Sequence, residues 1–142
     1  MRQVIIQLLA AFLGSMGFSM VFGLRRRFLI VASLGGFLAW TVYLLVGLWL
    51  HVSFLSYLLA ASFSVLYAEA LAHLLKSPAT LFLTPAIIPL VPGSSLYFAM
   101  SMAVRGEMAQ ARSYGVATLQ AALAIAAGMS FVFACRELRT KR

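Results

Sequence analysis

The amino-acid sequence predicts an all-α fold, a polytopic transmembrane helical bundle of about five spans. Three observations support this fold class. The 142 residues are 63% hydrophobic and only 10% charged, a composition outside the range of soluble domains. The chain divides into apolar stretches of about 20 residues each, the length at which a helix crosses a bilayer. The charged residues are concentrated in the short joints between these stretches.

The predicted spans follow one another closely and form a single transmembrane domain over residues 1–142. They cover residues 4–24, 28–50, 54–75, 81–104 and 114–135. The first span begins near the N-terminus, but it continues to Leu24 and stops at three arginines, unlike a cleaved signal peptide. No soluble segment of domain size interrupts the series, so the lipid bilayer is the expected surrounding of the whole chain.

The basic residues predict how the chain crosses the membrane. With five spans and an outside N-terminus, the outer side receives Arg2, Arg105 and Arg112. The inner side receives Arg25, Arg26, Arg27, Lys76, Arg136, Arg139, Lys141 and Arg142. Because cytoplasmic loops are enriched in Lys and Arg, this bias favours a cytoplasmic C-terminus in a bacterial inner membrane. The net charge of +8 is therefore interpreted as a topology signal and not as a nucleic-acid surface. A count of four spans would change this orientation, and the sequence leaves that alternative open.

The polar residues exclude several kinds of site. The lone Cys135 forms no intramolecular disulfide, and with two histidines it is too little for a structural zinc site. The chain has no Asp, and its three Glu residues are far apart, so paired carboxylates are absent. No glycine-rich phosphate loop is present. We expect no metal, no cofactor and no catalytic residue, and any transport is expected to use an ion gradient.

The third span contains an ionisable cluster. Glu69 and His73 are four residues apart and share a helix face, and Lys76 follows a turn later. Glu69 lies about 9 Å inside the predicted end of the span. It either faces an aqueous path, which makes Glu69 and His73 candidates for proton coupling, or it reaches the interface and pairs with His73 or Lys76. A membrane-embedded enzyme would have to use the same two residues without a third supporting group.

The fourth span is interrupted by proline. Pro85, Pro89 and Pro92 fall within eight residues, and Gly93 follows. Each internal proline removes a backbone donor and clashes with the preceding turn, so a regular helix cannot continue through this stretch. Broken backbone at membrane depth is tolerated where protein buries it or where it lines a cavity, and transporters use such half-helices as substrate sites.

The second half of this span is predicted to begin at Pro92 or Gly93. Free amides at Gly93, Ser94 and Ser95 would then form a helix start that favours an anion such as a substrate carboxylate. The candidate substrate-binding residues are Pro89, Pro92, Gly93, Ser94, Ser95 and Tyr97. The alternative is a proline kink with a structural role only.

The stretch over residues 79–93, ATLFLTPAIIPLVPG, together with Tyr97 resembles the signature of the threonine/serine exporter family. Residues 69–76, residues 17–22 and the Gly35-Gly36 pair with Trp40 resemble the corresponding parts of the family, so the resemblance covers nearly the whole chain. His73 stands where the family is expected to have arginine, and Ala86 stands where glycine is common. These departures bear on the identity of the substrate.

The resemblance implies a function and a partner. Full-length members of the family join two membrane halves, the first preceded by a soluble domain, and this chain resembles the second half alone. It is therefore expected to export a small polar metabolite, either a threonine- or serine-like amino acid or a small carboxylate such as a dicarboxylate, together with a larger membrane protein. A higher oligomer is left open. The alternative is a non-transporting scaffold, for which small-residue helix faces would suffice.

Overall fold

A computed structural model of the chain describes residues 2–140, with side-chain surroundings over residues 2–138. The described part is helical. Its helices are α1 (Arg2–Val21), α2 (Arg26–Leu50), α3 (Ser53–Leu75), α4 (Thr80–Ile87), α5 (Gly93–Val104) and α6 (Met108–Thr140), with a 3₁₀ turn (Ile88–Leu90) between α4 and α5. The predicted all-α bundle is confirmed. Lys141, Arg142 and the side chain of Arg139, which the topology prediction uses, lie outside this description.

Candidate membrane spans occur at each predicted place. Within the described residues α1, α2, α3 and most of α6 are long and apolar enough to cross a membrane, and α4 with the 3₁₀ turn and α5 forms a further candidate bent by 46°. The proline-broken fourth span is therefore confirmed. Helix α6 begins at Met108, within the joint predicted over residues 105–113. Gln110, Arg112 and Ser113 are exposed on its first turns, where polar side chains are compatible with a helix.

The contacts between α3 and α6 fix the direction of the broken span. The Ser62 hydroxyl donates to the carbonyl of Gly128 at 3.1 Å. About two turns later along both helices, Glu69 binds Arg136. Because these contacts advance in the same direction, α3 and α6 run parallel. The chain must therefore return from the end of α3 to the opposite end of the bundle before α6 begins. Thus α4 and α5 together pass through the bundle once and do not form a re-entrant loop.

Close helix contacts occur at glycines. A Cβ atom added to Gly36 in α2 would overlap the side chain of Ser15, and one added to Gly128 in α6 would overlap the carbonyl of Leu58. Small residues let membrane helices approach closely, and here they place α2 and α3 at the centre of the bundle. Helix α2 is continuous through the Gly35-Gly36 pair, which forms a close crossing with neighbouring helices.

Candidate functional site

The break in the fourth span leaves a backbone carbonyl that another helix satisfies. Pro89 has no N–H to donate to the carbonyl of Pro85, the acceptor one turn earlier. The hydroxyl of Ser15 in α1 donates to that carbonyl at 2.9 Å, and both residues are buried. The carbonyl of Ile88, which faces Pro92 in the same way, accepts from the amide of Val91 at 3.2 Å. Donors within the bundle therefore satisfy both of the carbonyls that Pro89 and Pro92 leave without a helical partner.

The first half of the span is held inside the bundle. Phe82, Pro85 and Ala86 of α4 are buried, and Leu90 of the 3₁₀ turn is fully buried against alanines of α2 and α3. Three rings lie beside this cluster. Trp40 stacks on Tyr43 at a centroid distance of 4.8 Å, and Tyr43 meets Tyr57 at 4.6 Å. This half of the span is a fixed part of the fold.

A groove of about 320 Å³ lies against the break. It is lined by Gln7, Ala10, Ala11, Gly14, Trp40, Ile88 and Pro89. Its walls are mainly apolar, and the indole Nε1 of Trp40 is buried with no hydrogen-bond partner among the described residues. Pro89, a predicted substrate residue, therefore lies at a cavity.

The second half of the span has a different environment. Helix α5 begins at Gly93, as the sequence predicts, and none of its residues is buried. The α6 helix is its main neighbour. Ser94 and Tyr97 are exposed, with 67% of Tyr97 accessible. Ser94 and Tyr97, two of the residues predicted to bind substrate, thus lie on a face that residues 2–138 do not cover.

The helix start carries fewer free amides than predicted. The amide of Gly93 donates to the carbonyl of Val91 at 2.7 Å, so the prediction of a free N–H at Gly93 is wrong. The tight turn centred on Pro92 brings these two groups together. Within residues 2–140, Ser94 and Ser95 form no hydrogen bond through either the amide or the hydroxyl. Two amides and two hydroxyls therefore stay available at the start of α5.

These polar groups lie at the middle of the span. Gly93 is 13 residues after Thr80 and 11 residues before Val104. At a rise of 1.5 Å per residue, the start of α5 is roughly 15–20 Å from either end. The half-buried Pro92 and the exposed Gly93 precede the first free amides of α5.

A second polar centre joins α3 and α6. Nη1 of Arg136 donates to Oε1 of Glu69 at 2.9 Å, with the carboxylate side chain 15% exposed and the guanidinium side chain 52% exposed. The sequence left pairing with His73 or Lys76 open as one alternative for Glu69; the carboxylate binds Arg136 instead, and His73 and Lys76 are exposed near the end of α3. The sequence did not reveal this pair because its members are 67 residues apart. The signal that could have found it is that both residues lie near the same predicted end of two spans.

Two cavities share this ion pair. The larger, of about 500 Å³, is lined by Leu66, Glu69, Phe131, Val132, Cys135 and Arg136. The smaller, of about 320 Å³, is lined by Glu69, Ala72, His73, Ser77, Ala79 and Arg136. Glu69 and His73 therefore face one cavity, as their spacing suggests, although they do not bind each other. Among the described residues, no group of three His, Cys, Asp or Glu side chains is placed to hold a metal ion.

Comparison with models of known protein families identifies a family that covers most of the chain. The family model described as "Threonine/Serine exporter, ThrE" matches residues 7–134. This range contains the whole broken span, the groove beside it and Glu69, and it ends two residues before Arg136. Neither the curated proteins nor the solved structures contain a match to the chain.

Proposed function

The chain belongs to the threonine/serine exporter family, and on that basis we propose that it is the membrane-only half of a split exporter for a small polar metabolite. The transported substrate is a threonine- or serine-like amino acid or another small carboxylate. A larger membrane protein carries the other half. The substrate path follows the broken span, and the start of α5 binds the substrate carboxylate.

The observation that carries this proposal is the exposed start of α5. The amides and hydroxyls of Ser94 and Ser95 lie at the middle of a membrane-crossing segment and have no partner within residues 2–140. Such groups are too costly to expose to lipid, so protein or water must face them. A partner half placed against α5 would enclose a polar path at this point.

The chemistry of this surface suits a carboxylate. The amides at a helix start carry partial positive charge and favour an anion. In our proposal Ser94 and Ser95 donate to the substrate carboxylate and the Tyr97 hydroxyl forms a further hydrogen bond. Pro89, Pro92 and Gly93 hold the turn that exposes these donors.

The orientation follows from the basic residues. We place the N-terminus outside and the end that carries Lys76 and Arg136 in the cytoplasm of a bacterial cell, in the inner membrane. Export is driven by an ion gradient, and Glu69, with His73 nearby, is the candidate for proton coupling. A C-terminal tag that reagents reach from outside intact cells would contradict this orientation.

Efflux of labelled substrate tests the proposal. Cells preloaded with labelled threonine, serine or succinate would express the chain alone or with the larger membrane protein that co-purifies with it. We expect efflux only with both proteins. Ser94→Ala combined with Ser95→Ala should lower it about tenfold or more, because a hydrogen bond to a charged group contributes about 1.5–3 kcal/mol.

The matched control is Thr118→Ala. The hydroxyl of Thr118 in α6 bonds only to the carbonyl of Tyr114 in its own helix, so its loss should leave efflux unchanged. A double serine variant that exports at the normal rate would contradict the binding site. A complex that assembles but exports none of these substrates would favour the scaffold function.

A further inference from the structure

The ion pair between Glu69 and Arg136 has the properties of a binding site and not only of a structural link. Buried carboxylates in membrane helices need a compensating charge, and Arg136 supplies it for Glu69. The pair is not sealed, however, because 52% of the arginine side chain is accessible and cavities of about 500 and 320 Å³ adjoin it on two sides. Both volumes fall in the range of small-molecule pockets or close to it.

Opening this pair is costly unless something replaces both partners. A carboxylate in a membrane helix that is separated from its guanidinium would lose its compensating charge. A ligand that carries one positive and one negative group on neighbouring atoms can replace both at once. Its carboxylate would bind the planar fork of Arg136, which matches carboxylate geometry, and its ammonium group would bind Glu69. The site stays neutral throughout the exchange.

Building on the proposed function, we propose that Glu69 and Arg136 form the cytoplasmic loading site, where a zwitterionic substrate enters by exchanging with the ion pair. The site lies at the end of the bundle that also carries Lys76, well away from the start of α5. Substrate then passes from this site towards the Ser94 and Ser95 donors. The role is compatible with proton coupling, because an ammonium group and a proton compete for the same carboxylate.

The exchange also discriminates between substrate classes. A dicarboxylate can bind Arg136, but its second charge is repelled by Glu69. An amine without a carboxylate can bind Glu69, but it has no group that can replace Glu69 at Arg136. The helix start in the broken span can bind any carboxylate, whether it belongs to an amino acid or to a dicarboxylate. The loading site therefore adds the preference for a zwitterion.

The test uses the assembled exporter and measures the cytoplasmic threonine concentration at half-maximal efflux. We expect Glu69→Gln and Arg136→Gln each to raise this concentration about tenfold or more, the effect of losing one charge-assisted contact. Glu69→Gln should also lower the half-maximal concentration of succinate relative to that of threonine, because the charge that repels the second carboxylate is gone. Lys76→Gln removes an exposed charge at the same end of the bundle and is the control that should leave both values unchanged.

A variant in which the two charges are exchanged distinguishes a role of the ion pair in substrate binding from a role in folding. Glu69→Arg combined with Arg136→Glu rebuilds an ion pair between the same helices, so the melting temperature of the complex should return towards that of the parent. In this variant the acidic and the basic side chain have exchanged positions along the proposed substrate path, so threonine efflux should stay impaired. Recovery of both stability and efflux would show that the pair is only structural and would overturn the proposal.

The outcomes also separate this proposal from the one it builds on. If the parent complex exports threonine but the Glu69 and Arg136 variants keep the parental half-maximal concentration, the loading site is wrong and the exporter function stands. If the parent complex exports neither threonine nor serine, the proposed function fails, and the loading site fails with it.

Discussion

Replacing Gly128 with alanine is expected to disrupt the α3–α6 interface and to lower the melting temperature of the complex well below that of the parent. An added Cβ would overlap the carbonyl oxygen of Leu58 and lie 3.1 Å from the hydroxyl of Ser62. A backbone carbonyl cannot rotate away, so the two helices would have to separate along their length. Overpacking of this kind costs about 1–3 kcal/mol and sometimes more, and the Ser62–Gly128 hydrogen bond would also be lost. Thermal melting of the purified complex, followed by size-exclusion chromatography, measures the effect.

The control for this change lies in the same helix. Gly115 has open space around its Cα, so Gly115→Ala should be neutral or should stabilise α6 by up to about 1 kcal/mol. The comparison separates a steric effect from a general effect of alanine in α6. Equal melting temperatures for the Gly128 and Gly115 variants would show that α3 and α6 do not meet as described.

Replacing Gly36 with alanine is the second large effect that we expect. The new Cβ would overlap the Ser15 hydroxyl and lie 3.1 Å from the Pro85 carbonyl that this hydroxyl satisfies. Displacement of Ser15 would leave a buried carbonyl without a donor, which costs about 1–3 kcal/mol in addition to the steric strain. We expect a melting temperature well below that of the parent and loss of transport, because the broken span would lose its support.

A second substitution should partly reverse this effect. Ser15→Gly in the Gly36→Ala background removes the overlapping side chain and should recover part of the lost stability. It should not recover all of it, since the Pro85 carbonyl stays without its donor. Gly17→Ala, at a glycine of α1 with open space, is the neutral control. A double variant no more stable than Gly36→Ala alone would contradict the arrangement of α1, α2 and α4 at the break.

Much of the fold could be predicted because its physical causes are local. Apolar runs long enough to cross a bilayer mark each span, and three prolines followed by Gly93 mark both the break and the new helix start. The carbonyl freed by Pro89 could also be expected. Its donor, Ser15, could not, because nothing in the sequence shows which helix lies against the break.

The misses have a common physical reason. Pairing of Glu69 depends on the parallel alignment of α3 with α6, so the residues nearest in sequence, His73 and Lys76, were the wrong partners. The bonded amide of Gly93 depends on the backbone conformation of Pro92 in the tight turn, because a proline ring fixes φ but not ψ. Each miss concerns an arrangement between elements or within a turn and not the existence of an element.

The proposed exporter function depends on the exposed start of α5. An apolar surface on this helix would be compatible with lipid, but unpaired amides and hydroxyls at mid-depth are not. In our proposal, the same feature is the reason that this chain acts together with a partner half. The donors of Ser94 and Ser95 become an enclosed site only when another protein surface or water faces them.

The most direct measurement is the accessibility of a cysteine at position 94. Ser94→Cys would be introduced into the assembled complex with Cys135→Ser, and labelling by a small, membrane-impermeant thiol reagent would be followed with and without threonine. Leu119→Cys, on an exposed apolar position of α6 at similar depth, is the matched control. We predict that the reagent labels position 94, that threonine protects this position from labelling, and that position 119 is not labelled. Equal resistance of both positions to the reagent would show that the start of α5 is not on a substrate path.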